Sequence, residues 1–306
     1  MIPVKLIAFP GAPNLPIFAA QENNYFAESG IELHMETTPN SAYQIQHLVS
    51  GNFDIAGTAF DNVVAYQEGQ GVAELDREPD LFAFMGATQI ELAFIVAPEI
   101  DTFDDLKGKT IALDALTTGF AFVLYEMLER AGLTSNDYTM VPVGATPQRW
   151  EAVKAGEHVG TITIEPFTSI AKTNGFKVLQ TSSEILDAYQ GGSFAASRTW
   201  AAANPEAVRG FIKAYLKGLV WTLDRNNRDA GAALLQARMP QIQPRAINPV
   251  MNSLLSAKSG LTPGAKIIDD GVTTVLRLRS KFGSGNANLM EPDRYIDLQY
   301  LQDLAT

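Results

Sequence analysis

The stretch Phe53 to Asn62, FDIAGTAFDN, decides the fold: a short apolar segment runs straight into Thr58, Phe60, Asp61 and Asn62, and an apolar helical run follows as far as Gly69. A strand that ends on a hydroxyl, a carboxylate and an amide is the start of a helix, a place to hold something, or both. Thr58 and Asp61 have the S/T-x-x-acid spacing of a capping box, in which the hydroxyl accepts from a backbone N–H one turn on and the carboxylate reaches back. Such a cap contributes about 0.5–2 kcal/mol, enough to account for the residues locally.

The same order of strand, polar residue, helix and terminal glycine recurs on either side. VKLIAF leads to Asn14 and a helix expected to stop at Gly30, and IELHMET leads to Ser41 and a stop at Gly51. Farther along, KTIALDAL precedes a helix from Thr117 to Gly132, YTMVPVG one from Thr146 to Gly156, and VGTITIE one from Pro166 to Gly175. Glycine suits a helix C-terminus because it takes a left-handed conformation without strain. Strand and helix in alternation give an α/β fold with a largely parallel sheet. Phe120, Val123, Leu124, Met127, Leu128 and Ala131 fall on one helical face, which marks that helix as packed against a core. From about residue 204 the rhythm changes to helices with little strand between them. There Asn204 is placed to cap, Pro205 takes the first helical position, and Val208, Phe211, Ile212, Tyr215, Leu216 and Leu219 form a buried stripe.

Two apolar strands, ELAFIVAP (91–98) and GSFAASR (192–198), bracket the second strand–helix block. Their placement predicts two lobes: residues 1–97 with 191–306 as the first, carrying the C-terminal helices, and 98–190 as an inserted second. A chain that crosses twice between lobes makes a hinge with a cleft beneath it.

The totals agree. At 306 residues and 46% hydrophobic the chain can bury a substantial core, and at about 100–200 residues per domain it divides into roughly two. A formal charge of -11 argues against a nucleic-acid surface, which needs clustered cations. No run approaches the roughly 18 apolar residues of a membrane span, so a soluble protein is expected. The absence of cysteine excludes thiolate nucleophiles, disulfides, iron–sulfur clusters, zinc–thiolate sites and a lipid-anchored N-terminal Cys. His34, His47 and His158 lie far apart without ligand spacing, and His34 alternates with Glu32 and Glu36 on what reads as the wet side of a strand.

In open parallel α/β sheets every helix that follows a strand begins at the same carboxyl edge, where the crevice lies. The caps therefore gather in space. Helix N-termini bring unpaired N–H groups and partial positive charge, suited to carbonyl, carboxylate, sulfonate or nitro oxygens. Ser41 with Gln44 and Thr146 ahead of Pro147 repeat the arrangement, so the expected answer at Thr58 is a cap locally and a polar rim collectively. Tyr43, Phe60, Phe120, Trp150, Phe167 and Phe194 stand beside these positions, and those that reach the cleft can stack on a planar ligand. Asp61, Glu91, Asp114 and Glu165 are the acids near the expected cleft, and Arg149 and Arg198 the cations nearest its rim.

Motifs for cofactor chemistry are missing. GQG and GSG lack the strand–G-x-G-x-x-G–helix setting of a dinucleotide site. LKGKT ends like a phosphate loop but has Phe103 where the first glycine is required, and neither G-x-S-x-G nor H-E-x-x-H occurs.

Three segments together carry a resemblance: LPIFAAQENNYFAESGIELHMETTPNSAYQIQHLVSGNFDIAGT, DTFDDLKGKTIALDALTTGFAFVLYEMLERAGL and SFAASRTWAAANPEAVRGFIKAY. The chain resembles, over nearly its whole length, the type II periplasmic substrate-binding proteins of ABC importers, in the group that takes nitrate, sulfonates, taurine and thiamine-pyrimidine precursors. The resemblance implies two α/β lobes that close on a small molecule and deliver it to a membrane ABC permease, without turnover, cofactor or metal. It also implies a monomer in the periplasm; no export leader is visible in MIPVKLIAF, and a cytoplasmic place is the alternative. The binding positions it implies are Pro13 and Asn14; Ser41, Tyr43 and Gln44; Thr58, Phe60, Asp61 and Asn62; Glu91; Thr117, Thr118, Gly119 and Phe120; Thr146, Gln148 and Arg149; Glu165; and Phe194. A cysteine-free lyase on the same scaffold and a ligand-sensing module are the alternative functions.

Overall fold

The first half of the molecule is a five-stranded sheet in the order β2-β1-β3-β10-β4. Its strands are β1 (Ile2–Ala8), β2 (Ile31–Thr37), β3 (Ile55–Ala59), β4 (Leu81–Thr88) and β10 (Gly192–Ser197). The second half repeats the plan in the order β7-β6-β8-β5-β9, from β5 (Ala93–Val96), β6 (Lys109–Leu113), β7 (Tyr138–Pro142), β8 (Gly160–Thr163) and β9 (Lys177–Thr181). The computed structural model describes residues 1–286 and 288–304; Ala287, Ala305 and Thr306, which the expected first lobe includes, lie outside the described residues.

In each sheet the expected parallel core is present, β1 with β2 and β3 in one and β6 with β7 and β8 in the other. The strand by which the chain enters from the opposite half runs against its neighbours: β10 is antiparallel to β3 and β4, and β5 to β8 and β9. Strand β5 thus belongs to the second sheet, although it falls within the expected first-lobe range 1–97. The first crossing lies at residues 89–92, between β4 and β5, and the return lies just before β10. The apolar run that marks ELAFIVAP as a strand holds no information about which sheet it joins.

Helices cover the sheets: α1 (Leu15–Glu22), α2 (Tyr25–Glu28), α3 (Ser41–Val49), α4 (Phe60–Gln67), α5 (Gly119–Arg130), α6 (Thr146–Lys154), α7 (Phe167–Thr173) and α8 (Arg198–Ala203). The C-terminal part adds α9 (Pro205–Leu223), α10 (Arg228–Arg238), α11 (Pro244–Leu254), α12 (Asp269–Phe282) and the short α13 (Gln299–Gln302). The lead helix expected to run from Asn14 to Gly30 is broken at Asn23 and Asn24, the latter in the left-handed region at φ 58°. In α9 the stripe of Val208, Phe211, Ile212, Tyr215 and Leu219 is fully buried. It packs on α1 so closely that a Cβ on Gly218 would lie 2.1 Å from the Pro16 carbonyl oxygen. Helix α12 lies against α4 of the first half and α5 of the second, and one apolar cluster continues through both halves, from Ile7 and Val63 through Phe94 and Phe122 to Val272 and Val275. Among the described residues no helix is long and apolar enough to cross a membrane.

Candidate functional site

A cavity of about 90 Å³ lies between the two sheets, at the ends of their strands. Its walls come from the carboxyl ends of β1 (Phe9 to Asn14), β3 (Thr58, Ala59), β4 (Ala87, Thr88), β6 (Leu113, Asp114) and β8 (Ile162, Ile164), and from the start of β10 (Gly192 to Phe194). Parallel packing around crossovers leads to this: strands that point the same way deliver their following turns to one edge, and two such edges face each other.

The halves are tied across the cavity rim by three hydrogen bonds. Ala12 N donates to the Glu165 carbonyl at 3.0 Å and Ala145 N to the Pro39 carbonyl at 2.9 Å. Ser41 N donates to Asp114 Oδ2 at 3.1 Å.

Of the expected positions, Pro13, Asn14, Ser41, Thr58, Asn62, Thr118, Gly119, Phe120, Thr146, Arg149 and Phe194 line the cavity. Several hold their places by other means than the sequence suggested. Thr58 does not cap: β3 extends through Ala59, which is the N-cap residue of α4, and the Thr58 hydroxyl accepts from Asn62 Nδ2 at 2.9 Å. The strand keeps Thr58 because its N–H and C=O are in register with Ser193 of β10, a pairing that the local capping pattern does not reveal. At α3 the cap is Asn40, which accepts from Tyr43 N at 2.7 Å; Ser41 is the first helical residue. Thr118, not Thr117, caps α5 by accepting from Ala121 N, and Thr146 is already inside α6. Asn14 precedes α1 without a side-chain cap and donates instead to the Phe9 carbonyl at 2.8 Å.

The remaining expected positions do not line the cavity. Tyr43 is partly exposed with its ring on His47, and Gln148 is exposed. Phe60 is wholly buried in the apolar cluster. The Gln44 amide bridges α3 to β1 and β3, donating to the carbonyls of Ile7 at 3.3 Å and Gly57 at 3.0 Å. Asp61 is committed to Arg279, and the Thr117 carbonyl accepts from the same arginine. Glu91 accepts from Ser183 Oγ at 2.7 Å. Glu165 accepts from Ser169 N at 3.2 Å and Ser169 Oγ at 2.8 Å; burial pushes its carboxyl above the usual range, against those two bonds. The direction of such a side chain is decided by distant partners, in the case of Asp61 by Arg279, more than a hundred residues away.

Missing from the expected binding positions, yet on the cavity wall, are Phe9, Thr88, Ile90, Leu113, Ile162, Ile164 and Ser193, and with them stands Asp114, one of the acids expected near the cleft. Ile90 sits on the first crossing in the left-handed region, at φ 60°, where a β-branched residue is rare. Its N–H is held by the Thr88 hydroxyl at 2.9 Å.

Arg149 supplies the buried positive charge of the site, with 2% of its surface exposed. Its guanidinium donates to Thr161 Oγ1 at 3.0 Å, the Gly144 carbonyl at 2.7 Å, Thr146 Oγ1 at 3.1 Å and the Ile162 carbonyl at 3.0 Å. All four acceptors are neutral. Loss of hydration brings its pKa down to about 10, opposed by the negative charge of Asp114, so it remains a cation at neutral pH. Three polar atoms on the same wall, Ser41 Oγ, Ser193 Oγ and Asp114 Oδ1, are buried and have no hydrogen-bond partner among the described residues. The wall is thus largely apolar with a few unmatched polar atoms, a lining suited to hold and orient a small molecule.

The chain matches the profile of the family described as NMT1/THI5 like over residues 13–228. No curated protein sequence matches it. Among solved structures it is similar to the nitrate-binding protein NrtA from Synechocystis PCC 6803, with a TM-score of 0.82, 12% identity and coverage of 100% of this chain and 88% of that one. It is also similar to the alkanesulfonate-binding protein SsuA from Xanthomonas axonopodis pv. citri, solved bound to MOPS, with a TM-score of 0.74, 16% identity and coverage of 95% and 96%. The desulfurization enzyme DSZB has a TM-score of 0.66, 13% identity and coverage of 99% and 98%. At such identities these likenesses establish the fold: two α/β halves of the periplasmic-binding-protein kind.

Proposed function

The chain belongs to the NMT1/THI5-like family, and from that premise we propose that it is the substrate-binding protein of an ABC-type importer. It captures a small polar organic molecule between its halves, closes by bending at the two crossings, and hands the molecule unaltered to a membrane permease. The observation that carries the reading is the cavity itself: walls from both sheets, rim bonds that exist only when the halves meet, and buried polar atoms inside with no protein partner. The ligand-binding relatives SsuA and NrtA support it. The proposed binding positions are the expected residues that reach the wall, Pro13, Asn14, Ser41, Thr58, Asn62, Thr118 to Phe120, Thr146, Arg149 and Phe194, together with Asp114 and Ser193. The protein works as a monomer in the periplasm and uses neither metal nor cofactor.

Native mass spectrometry of the purified chain, followed by thermal shift against sulfonates, aromatic acids, pyrimidines and amines, tests this. A bound ligand at a hundred times its dissociation constant adds about 2.7 kcal/mol of stability. The expected result is a shift without product, accompanied by a smaller radius of gyration in solution scattering. Steady consumption of a stabilising compound would instead put the chain with the enzymes of this fold.

A further inference from the structure

The polar inventory of the cavity narrows what it takes. Four of the five N–H groups of Arg149 already point at protein oxygens, so the arginine keeps little hydrogen-bonding capacity for a ligand, and its charge is met by that of Asp114. Ser41 Oγ and Ser193 Oγ are hydroxyls that can give or accept a proton. Asp114 is different. Its Oδ2 is used by Ser41 N across the rim, while Oδ1 is buried on the cavity wall with no donor. A carboxylate oxygen can only accept, and leaving it unmet in a water-poor place is unfavourable. The cavity wall also carries apolar side chains, among them Leu113, Phe120 and Ile164.

We infer that Asp114 is the specificity-determining residue of the cavity and that the ligand is a compact organic molecule presenting an N–H donor, an amine or amidine on an apolar body. This rests on the binding reading above and departs from what the names of the nitrate and alkanesulfonate binders suggest. An anion without donors would meet a second negative charge at Oδ1, and would find the nearby arginine already engaged. The same residue joins recognition to closure. Oδ2 forms its bond with Ser41 only when the halves meet, so a donor on Oδ1 fixes the carboxylate in the orientation that makes the rim bond.

The test uses the full chain and matched pairs of probes: benzamidine against benzoate, and isobutylamine against isobutyrate, by thermal shift and calorimetry. The donor-bearing member of at least one pair is expected to stabilise the protein and its carboxylate counterpart to have no effect. Asp114→Asn retains an oxygen for Ser41 N and places an amide N–H₂ where Oδ1 stood. It should fold like the parent, weaken the donor probe about 10- to 100-fold, and strengthen the carboxylate. Stabilisation by the carboxylate members alone, affinities unchanged in Asp114→Asn, or no response to any donor-bearing probe each overturns the inference. The two readings fail differently: a donor probe that binds through Asp114 but is consumed refutes the transport reading alone, whereas carboxylates bound without turnover refute only the assignment of Asp114.

Discussion

Arg279 grips Asp61 with two parallel hydrogen bonds, Nε to Oδ1 at 2.7 Å and Nη2 to Oδ2 at 2.5 Å, with both side chains shielded from water. The same guanidinium donates to the Thr117 carbonyl at 2.9 Å in the second half and to Gln70 Oε1 at 2.9 Å in the first. Helix α12 thus fastens α4 to the turn that opens α5, whose Thr118 and Phe120 line the cavity. Removing one partner of a buried pair strands the other charge, at a cost of about 3–5 kcal/mol. Arg279→Ala is expected to lower stability by that amount in urea unfolding, and Asp61→Asn combined with Arg279→Met to recover a good part of it. A loss below about 1 kcal/mol in the single variant would show that Arg279 does not anchor this junction.

Gly119 touches the same junction. A Cβ there would stand 2.5 Å from Asp61 Cβ and 2.9 Å from the Tyr189 hydroxyl. Gly119→Ala should therefore cost about 1–3 kcal/mol through overpacking and displace the start of α5 from the cavity. Calorimetry on whichever probe binds the parent should show weaker affinity, and a variant with parental melting temperature and affinity would contradict this.

Ile90 gives a backbone prediction whose sign is unusual. Glycine in place of alanine ordinarily destabilises by about 0.5–1 kcal/mol. At φ 60° the order should invert, because a side chain in the left-handed region costs about 1–2 kcal/mol. Thermal unfolding is expected to rank Ile90→Gly above Ile90→Ala by roughly 1 kcal/mol. Across the hinge, Gly191→Ala would put a Cβ 2.1 Å from Ile90 Cγ2, so that variant should be the least stable of the three.

Glu126 predicts a pH dependence. Burial pushes its carboxyl up, but hydrogen bonds from Lys281 at 2.8 Å and Arg130 at 3.0 Å, with the charges of Lys281 and Arg277, outweigh it and bring the pKa below the usual value. A carboxyl lowered in the fold contributes stability that is complete above the unfolded-state value of about 4.3 and fades as pH falls through the folded one. Glu126→Gln should be less stable than the parent by about 1 kcal/mol at pH 7, a modest figure because its partners are nearly half exposed to screening water. The gap should close on acidification; a gap constant from pH 7 to pH 3 would refute the assignment.

The rhythm of strand, helix and glycine was enough to read the two α/β halves, because it reports local chemistry repeated along the chain. Glycines 30, 51, 69, 132, 156 and 175 all adopt positive φ at the expected helix ends. The boundary near residue 97 was not legible. Whether ELAFIVAP joins one sheet or the other depends on β8 and β9, whose pairing leaves no trace in residues 91–98. The site divides in the same way. Positions such as Thr118 and Thr146 follow from the rule that helix starts meet at the strand ends. Asp61 looked like a rim acid because nothing near it in sequence announces Arg279. Phe9, Leu113 and Ile164 carry no polar signal and read simply as ordinary strand apolars.

Two of the three rim bonds, Ala12 to Glu165 and Ala145 to Pro39, run from main chain to main chain. A clasp made of peptide groups is indifferent to the side chains that carry it. Mutation can redecorate the chamber behind it, trading one guest for another, while the door keeps the same latch.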